Sequence, residues 1–276
     1  MLKNRLIPVV LLKNGIVVQS KSFKRYQCLG NPITIVERLS DWAADELIYL
    51  DISDKTTYDL GRDDLNFPNR HTILEILQDI ARYCFMPLTF GGGIRTLSDV
   101  LNRIQAGADK VSINTQALKN PDFVDACAKE FGSQCIVVSI DVLSDTNGSW
   151  EVYSDGGKLP TGRIPSEWAS EVEDRGAGEI FLNSINQDGY GKGYDISLIR
   201  SVTDSVKIPT IACGGVGDWE HMAQGIVEGR ASAVAAANIF HYSENSVHKA
   251  KKYLYDLHLN FREPVLGFCT VKGKKL

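Results

Sequence analysis

The chain alternates between short, continuously apolar runs and longer segments in which apolar residues recur every three or four positions. Runs such as Leu6-Ile7-Pro8-Val9-Val10-Leu11 and Ile136-Val137-Val138-Ser139-Ile140-Asp141 predict strands buried on both faces, as in a parallel sheet. Strands are predicted to begin near Arg5, Glu46, Pro87, Asp109, Gln134, Gly178, Ile208 and Ala231. The helical period predicts helices over Thr34–Ala43, His71–Tyr83, Leu97–Ala106, Phe123–Phe131, Ser166–Arg175, Asp195–Asp204, Trp219–Glu228 and Asn245–Leu257. Eight strand–helix units in about 250 residues predict an α/β fold of the (β/α)8 TIM-barrel type. A doubly wound sheet is the alternative, but no GxGxxG opens the first unit.

The pattern also repeats. Glu46-Leu47-Ile48-Tyr49-Leu50-Asp51 resembles Glu179-Ile180-Phe181-Leu182-Asn183-Ser184, and Pro87 to Gly93 resembles Pro209 to Gly215. The barrel is therefore expected to consist of two half-barrel repeats of four units, with two related ligand sites at one rim. Residues 1–276 are read as one barrel domain, with 260–276 a C-terminal extension. In that extension Gly267-Phe268-Cys269-Thr270 reads as able to pack and Lys272-Gly273-Lys274-Lys275 as solvated. The polar stretch Asp54–Asn69, present only in the first half, reads as a surface loop.

A net charge of −4 with no basic tract disfavours nucleic acid as a partner. No apolar run reaches the length of a membrane span, and the N-terminus lacks a signal-peptide pattern. The six cysteines are scattered without a CxxC pair, so no metal site and no cofactor are expected, and free thiols suit the cytoplasm. Cys84, Cys135 and Cys213 read as core thiols, and Cys28 as a residue near the mouth.

Candidate chemistry lies at the strand ends. Gly91-Gly92-Gly93 and Gly214-Gly215 fall where a barrel builds its active site. Glycine lets the backbone approach an anion, and the following helix directs N–H donors and a positive dipole end at it. Asn114-Thr115 and Ala237-Asn238 follow the next strand in each half, so each combination can cradle one phosphate. Asp188-Gly189 borders the second site, and Asn183, Asn186 and Gln187 read equally as contacts or as loop polar groups. Asp141 and Asp51 end apolar strands and are general acid/base candidates. Arg5, Glu46, Lys110 and Glu179 open four strands and form a charged set at the opposite face, readable as a sealing salt-bridge cluster or as a gate.

The glycines, the Lys110-Val111-Ser112-Ile113-Asn114-Thr115 run, Gly176-Ala177-Gly178-Glu179, Phe131-Gly132-Ser133-Gln134 and Ile239-Phe240-His241 together carry a resemblance. From Met1 to about Leu257 the chain resembles the cyclase subunit of imidazole glycerol phosphate synthase, of histidine biosynthesis. The resemblance implies a substrate with two phosphates and a glutaminase subunit docked as a heterodimer on the N-terminal face. Ammonia from that subunit passes through the barrel, and two aspartates on the first and fifth barrel strands act as acid and base. Carried over, Asp141 matches the fifth-strand aspartate, but Leu11 occupies the first-strand position and Gln19 stands where a lysine is usual. Gly92, Gly93, Asn114 and Thr115 match one phosphate site. Gly189, Gly214, Gly215, Ala237 and Asn238 match the other, with Asn238 in place of a serine. Arg5, Glu46, Lys110 and Glu179 match the ammonia gate, and Asp109 matches a residue facing the glutaminase.

An intact gate beside a broken acid/base pair is similar to the divergent paralogues associated with amidination of surface-polysaccharide sugars of the lipopolysaccharide O-antigen type. There ammonia goes to a third, sugar-modifying enzyme. A working histidine-pathway cyclase using Asp141, alone or with Asp51, is the alternative. A silent scaffold that only activates the glutaminase is a third reading. A related isomerase barrel with paired phosphate sites ranks last, since it needs no gate.

Overall fold

Parallel strands buried on both faces need helices on one side and one another on the other, and a closed ring satisfies both needs. The computed structural model describes residues 2–54, 57, 58 and 70–266. The first barrel strand, β1 (Arg5–Lys13), runs on into an antiparallel pair, β2 (Ile16–Lys21) and β3 (Arg25–Gly30). Barrel strands β4 (Leu47–Asp51), β5 (Leu88–Gly91), β6 (Lys110–Ile113) and β7 (Ile136–Ser144) follow. A second antiparallel extension, β8 (Trp150–Ser154) and β9 (Leu159–Pro160), leads to β10 (Glu179–Ser184), β11 (Thr210–Cys213) and β12 (Ala233–Ala236). The parallel pairings run β1-β4-β5-β6-β7-β10-β11-β12 and return to β1, so the eight barrel strands close. This is the α/β TIM barrel that the hydrophobic pattern predicts.

The helices are α1 (Pro32–Asp41), α2 (Ile73–Tyr83), α3 (Leu97–Gln105), α4 (Thr115–Lys119), α5 (Asp122–Phe131), α6 (Pro165–Asp174), α7 (Ile196–Thr203), α8 (Trp219–Val227) and α9 (Ser246–Asp256). Their starts follow from local chemistry. Asn31 caps α1 and Pro32 fills its first turn, which moves the start ahead of the predicted Thr34. Thr72, Asp195 and Asp218 accept from backbone N–H groups of α2, α7 and α8. Thr96 and Asp99 form a reciprocal capping box on α3.

Alternation along each strand divides the core in two. Leu6, Val10 and Leu12 of β1 join the layer between sheet and helices. Ile7 and Val9 point into the barrel with Ile48, Val137, Phe181, Ile211, Ala233 and Ala235, and Leu11, Leu50, Cys213 and Ala237 pack against this inner column. The two antiparallel extensions were not predicted. The first has a clear local cause: Lys13 pairs with Ile16 across Asn14-Gly15, and both turn residues have positive φ, the geometry of a two-residue hairpin.

Among the described residues no helix is long and apolar enough to cross a membrane. The segment after α9 is described as far as Leu266; Phe261 is buried, Asn260 O accepts from Asn4 N, and the Asn260 side-chain Nδ2 donates to Leu2 O. The expected packing of Gly267 to Thr270, the solvated Lys272 to Lys275, and most of the expected loop Asp54–Asn69 lie outside the described residues.

The first strand and the last helix are tied by a buried ion pair. Lys251 Nζ reaches Asp45 Oδ1 at 2.7 Å with both side chains 5% exposed, and Asp45 Oδ2 accepts from Leu6 N at 2.9 Å. Removing the cation strands a desolvated carboxylate. Lys251→Ala is therefore expected to lower unfolding free energy by about 3–5 kcal/mol in urea titrations; a loss below about 1 kcal/mol would show that water reaches Asp45 instead.

Candidate active site

At the N-terminal end of the barrel the four charged residues form one closed ring. Arg5 Nη1 lies 2.7 Å from Glu46 Oε1 and 2.9 Å from Glu179 Oε1. Lys110 Nζ lies 3.1 Å from Glu46 Oε2 and 3.0 Å from Glu179 Oε1. Burial alone would lower the Arg5 pKa, but Glu179 and Glu46 carry it above the ordinary value, so its charge is held by its partners. Glu179 Oε2 has no partner among the described residues. Asp109 sits beside this floor, exposed, with its carboxylate accepting from Leu88 N at 2.8 Å.

Above the ring the inner column is largely apolar, with the small hydroxyl residues Thr89, Ser112 and Ser139 at the inward positions of β5, β6 and β7, up to the C-terminal rim, where Asp141 points inward and is 8% exposed. Asn114 Nδ2 donates to Asp141 Oδ2 at 2.7 Å. Burial, reinforced by the charge of Asp188, pushes the Asp141 carboxyl up to about 7, against hydrogen bonds from Ser139 and Asn114 that favour the anion. A carboxyl poised there can give or take a proton at neutral pH. Asn183 pairs in register with Asp141 on the neighbouring strand and is itself buried. Leu11 belongs to the inward set, so the position equivalent to Asp141 in the repeat carries methyl groups and no group that can exchange a proton.

Asp51 is placed differently. Glu46, Ile48 and Leu50 alternate inward on β4, so Asp51 shares the outward face with Leu47 and Tyr49. Its Oδ1 accepts from the backbone and side chain of Ser53, and its Oδ2 accepts from Tyr58 Oη at 2.7 Å. Burial raises its pKa, opposed by those hydrogen bonds. The barrel therefore brings Asp141 and Asn114 together and leaves Asp51 behind the wall, away from the Asp141 side of the sheet.

The glycine clusters end β5 and β11 as expected. A Cβ on Gly92 would collide with the Asp51 carbonyl oxygen, and one on Gly215 with the Gly193 carbonyl oxygen. The helices that follow are less open than expected. On α3, Asp99 Oδ2 already accepts from Arg95 N and Thr96 N. On α8, Asp218 and His221 satisfy His221 N and Gly217 N. The short α4 after Asn114 and the 3-10 turn Asn238–His241 after Ala237 carry no side-chain cap. Donors for an anion thus come from the glycine peptides and these two short turns.

Each cleft is bordered by the hairpin of the other half. Asp155 N, in the β8–β9 turn, donates to Thr115 Oγ1 at 3.0 Å. Asn238 Nδ2 donates to Ser20 O at 2.8 Å, and Asp188 Oδ2 accepts from Ser20 Oγ at 2.7 Å, beside Gly189. Gln19, on the same hairpin, accepts from Tyr242 Oη and donates to Gln27.

Against known families, the histidine biosynthesis protein family matches residues 5–246, nearly the whole chain. The chain belongs to this family. Family and fold together mark it as a barrel enzyme of the histidine-biosynthesis type. Burial pushes the Cys84 thiol up to about 11 and the Cys127 thiol up to about 12; Cys84, Cys135 and Cys213 are partly buried, and Cys28 is exposed. Cys269 lies outside the described residues. Among the described residues no cluster of His, Cys, Asp and Glu could hold a metal ion.

Sequence reading overlooked Ser20, Ser139 and Arg103. Arg103 had a usable signal, because it shares the buried face of α3 with Val100.

Asp141 gives a testable pH dependence. Between an unfolded value of about 4 and a folded value of about 7, the folded chain holds a proton that the unfolded chain has released. Stability therefore falls as pH rises through that window. Asp141→Asn removes the slope: its Tm relative to the parent is expected to rise across the window and level off above it. A difference independent of pH would show that Asp141 ionises like a surface carboxylate.

Proposed function

We propose that this chain is the cyclase-type synthase subunit of a glutamine-dependent amidotransferase, working in the cytoplasm. It takes ammonia from a glutaminase partner at the charged floor and releases it at the opposite rim. A third enzyme there amidinates a surface-polysaccharide sugar of the lipopolysaccharide O-antigen type. One observation carries the reading: a closed Arg5/Glu46/Lys110/Glu179 ring leads into a largely apolar column that ends beside the inward carboxylate of Asp141. An apolar lining favours neutral ammonia over ammonium, because a desolvated charge is costly. Leu11 extends that lining to the rim where cyclisation would need a second proton-transfer group. The paired clefts, Gly92, Gly93, Asn114 and Thr115 on one side and Gly189, Gly214, Gly215, Ala237 and Asn238 on the other, suit a phosphorylated small molecule.

A working histidine-pathway cyclase is the second reading. What favours it is Asp141, whose pKa of about 7 suits one residue acting as both acid and base. Ammonia-dependent turnover of the histidine-pathway bisphosphate intermediate separates the two. The unmodified barrel is expected to turn it over at least 10²-fold more slowly than Leu11→Asp, the low end of what a general acid/base contributes. Glutaminase activity is expected only when the barrel is present. Rapid turnover by the unmodified protein would overturn the ammonia-delivery reading.

A further inference from the structure

Behind the first glycine cluster lies a charged side chain that no step above uses. Arg103 is 5% exposed, at the inner face of α3. Its Nη2 donates to Gly92 O at 2.6 Å and its Nη1 to Asp99 O at 3.0 Å, while Nε has no partner among the described residues. Burial lowers its pKa, and the facing groups Asp99, Asp51 and Tyr58 oppose that shift, so the guanidinium keeps its charge. A buried cation whose hydrogen bonds go only to two backbone carbonyls, one on its own helix, is an expensive arrangement unless the direction of the other, Gly92 O, matters.

The direction does matter. Gly92 and Gly93 have φ of +103° and +64°, and a pair of glycines can rotate the peptide between them at little steric cost. That peptide is trans, so its C=O and N–H point in opposite directions. Arg103 holds the Gly92 carbonyl toward the helix layer, which turns the Gly93 N–H away from that layer. The second half of the barrel has no such side chain: the repeat that carries Gly92 onto Gly214 places Gly225 at the counterpart of Arg103, and the nearby Gly193 N–H bond goes to the following carbonyl, Gly215 O, at 2.8 Å. The capping of α3 by Asp99 raises the stakes, since Arg95 N and Thr96 N are already spent.

We propose that Arg103 is a positioning residue for the first cleft: it fixes the Gly92–Gly93 peptide with its N–H toward the ligand and so sets that cleft's affinity for a phosphate group. The proposal rests on the reading of this cleft as a phosphate site. The test uses the full chain labelled with 15N-glycine, with inorganic phosphate as the probe, following the Gly93 and Gly215 amides separately. Arg103→Leu is expected to weaken phosphate binding reported by Gly93 by about tenfold or more, to leave binding reported by Gly215 unchanged, and to give the ligand-free Gly93 amide slow conformational exchange. Arg103→Lys, which keeps a cation without the planar fork, should fall between, and it carries the test if the leucine variant does not fold. Unchanged order and affinity at Gly93 in a folded variant would overturn the proposal, as would equal weakening at both clefts, which a general loss of charge or structure would cause. Silence of both glycines toward phosphate in the unmodified chain would instead overturn the phosphate reading, and relaxation of the Gly93 amide alone would then decide whether Arg103 fixes the peptide.

Discussion

Alternation of side chains along closed parallel strands is the constraint on which the rest of this molecule depends. Once eight strands share one axis, every second residue must either fill the interior or be useful at one of its ends. Arg5, Ile7, Val9 and Leu11 show the consequence in a single strand: charge at the floor, packing in the middle, and a rim position whose chemistry decides what the barrel can do. The floor tolerates four charges in a half-buried ring because two cations face two carboxylates, each bridging to both opposites. Loss of any one would leave an uncompensated charge where water is scarce.

At the other end the same constraint concentrates electrostatic tension on Asp141. Its neighbours across the inward face are an amide, a thiol-bearing strand end and the carboxylate of Asp188, and none supplies a cation. Holding a proton is the cheapest answer for a carboxyl so placed. Leu11 intensifies this by removing a polar group from the interior and replacing it with hydrocarbon. The rim is therefore both drier and less able to exchange protons than a rim with two carboxylates would be.

Much of this was legible in the chain itself. The apolar runs located all eight barrel strands within about two residues, since strands buried on both faces leave no other reading of Ile136–Ile140 or Ala233–Ala236. What stayed hidden depended on register. Asp51 and Asp141 both end apolar runs, and only the inward parity of Glu46, Ile48 and Leu50 separates them. The Asn14-Gly15 turn was visible as a hairpin signal but was masked by the apolar continuity of Val9 to Leu12. Arg103 went unnoticed: its spacing from Val100 places it on the buried face of α3, but a backbone carbonyl as its partner cannot be read from the sequence.

The exchange of hairpins between halves has a consequence for how the protein comes into being. Ser20 meets Asp188 and Asn238 across 168 and 218 residues of chain, so the second cleft is walled by segments from both ends of the polypeptide. Contacts of such separation form late, after local helices and neighbouring strands have paired. During synthesis the amino-terminal hairpin gains its contacts with Asp188 only after two thirds of the chain has been made, and its contact with Asn238 later still. The wall of the second cleft is thus a property of the finished molecule, complete only once segments from both ends of the chain have met.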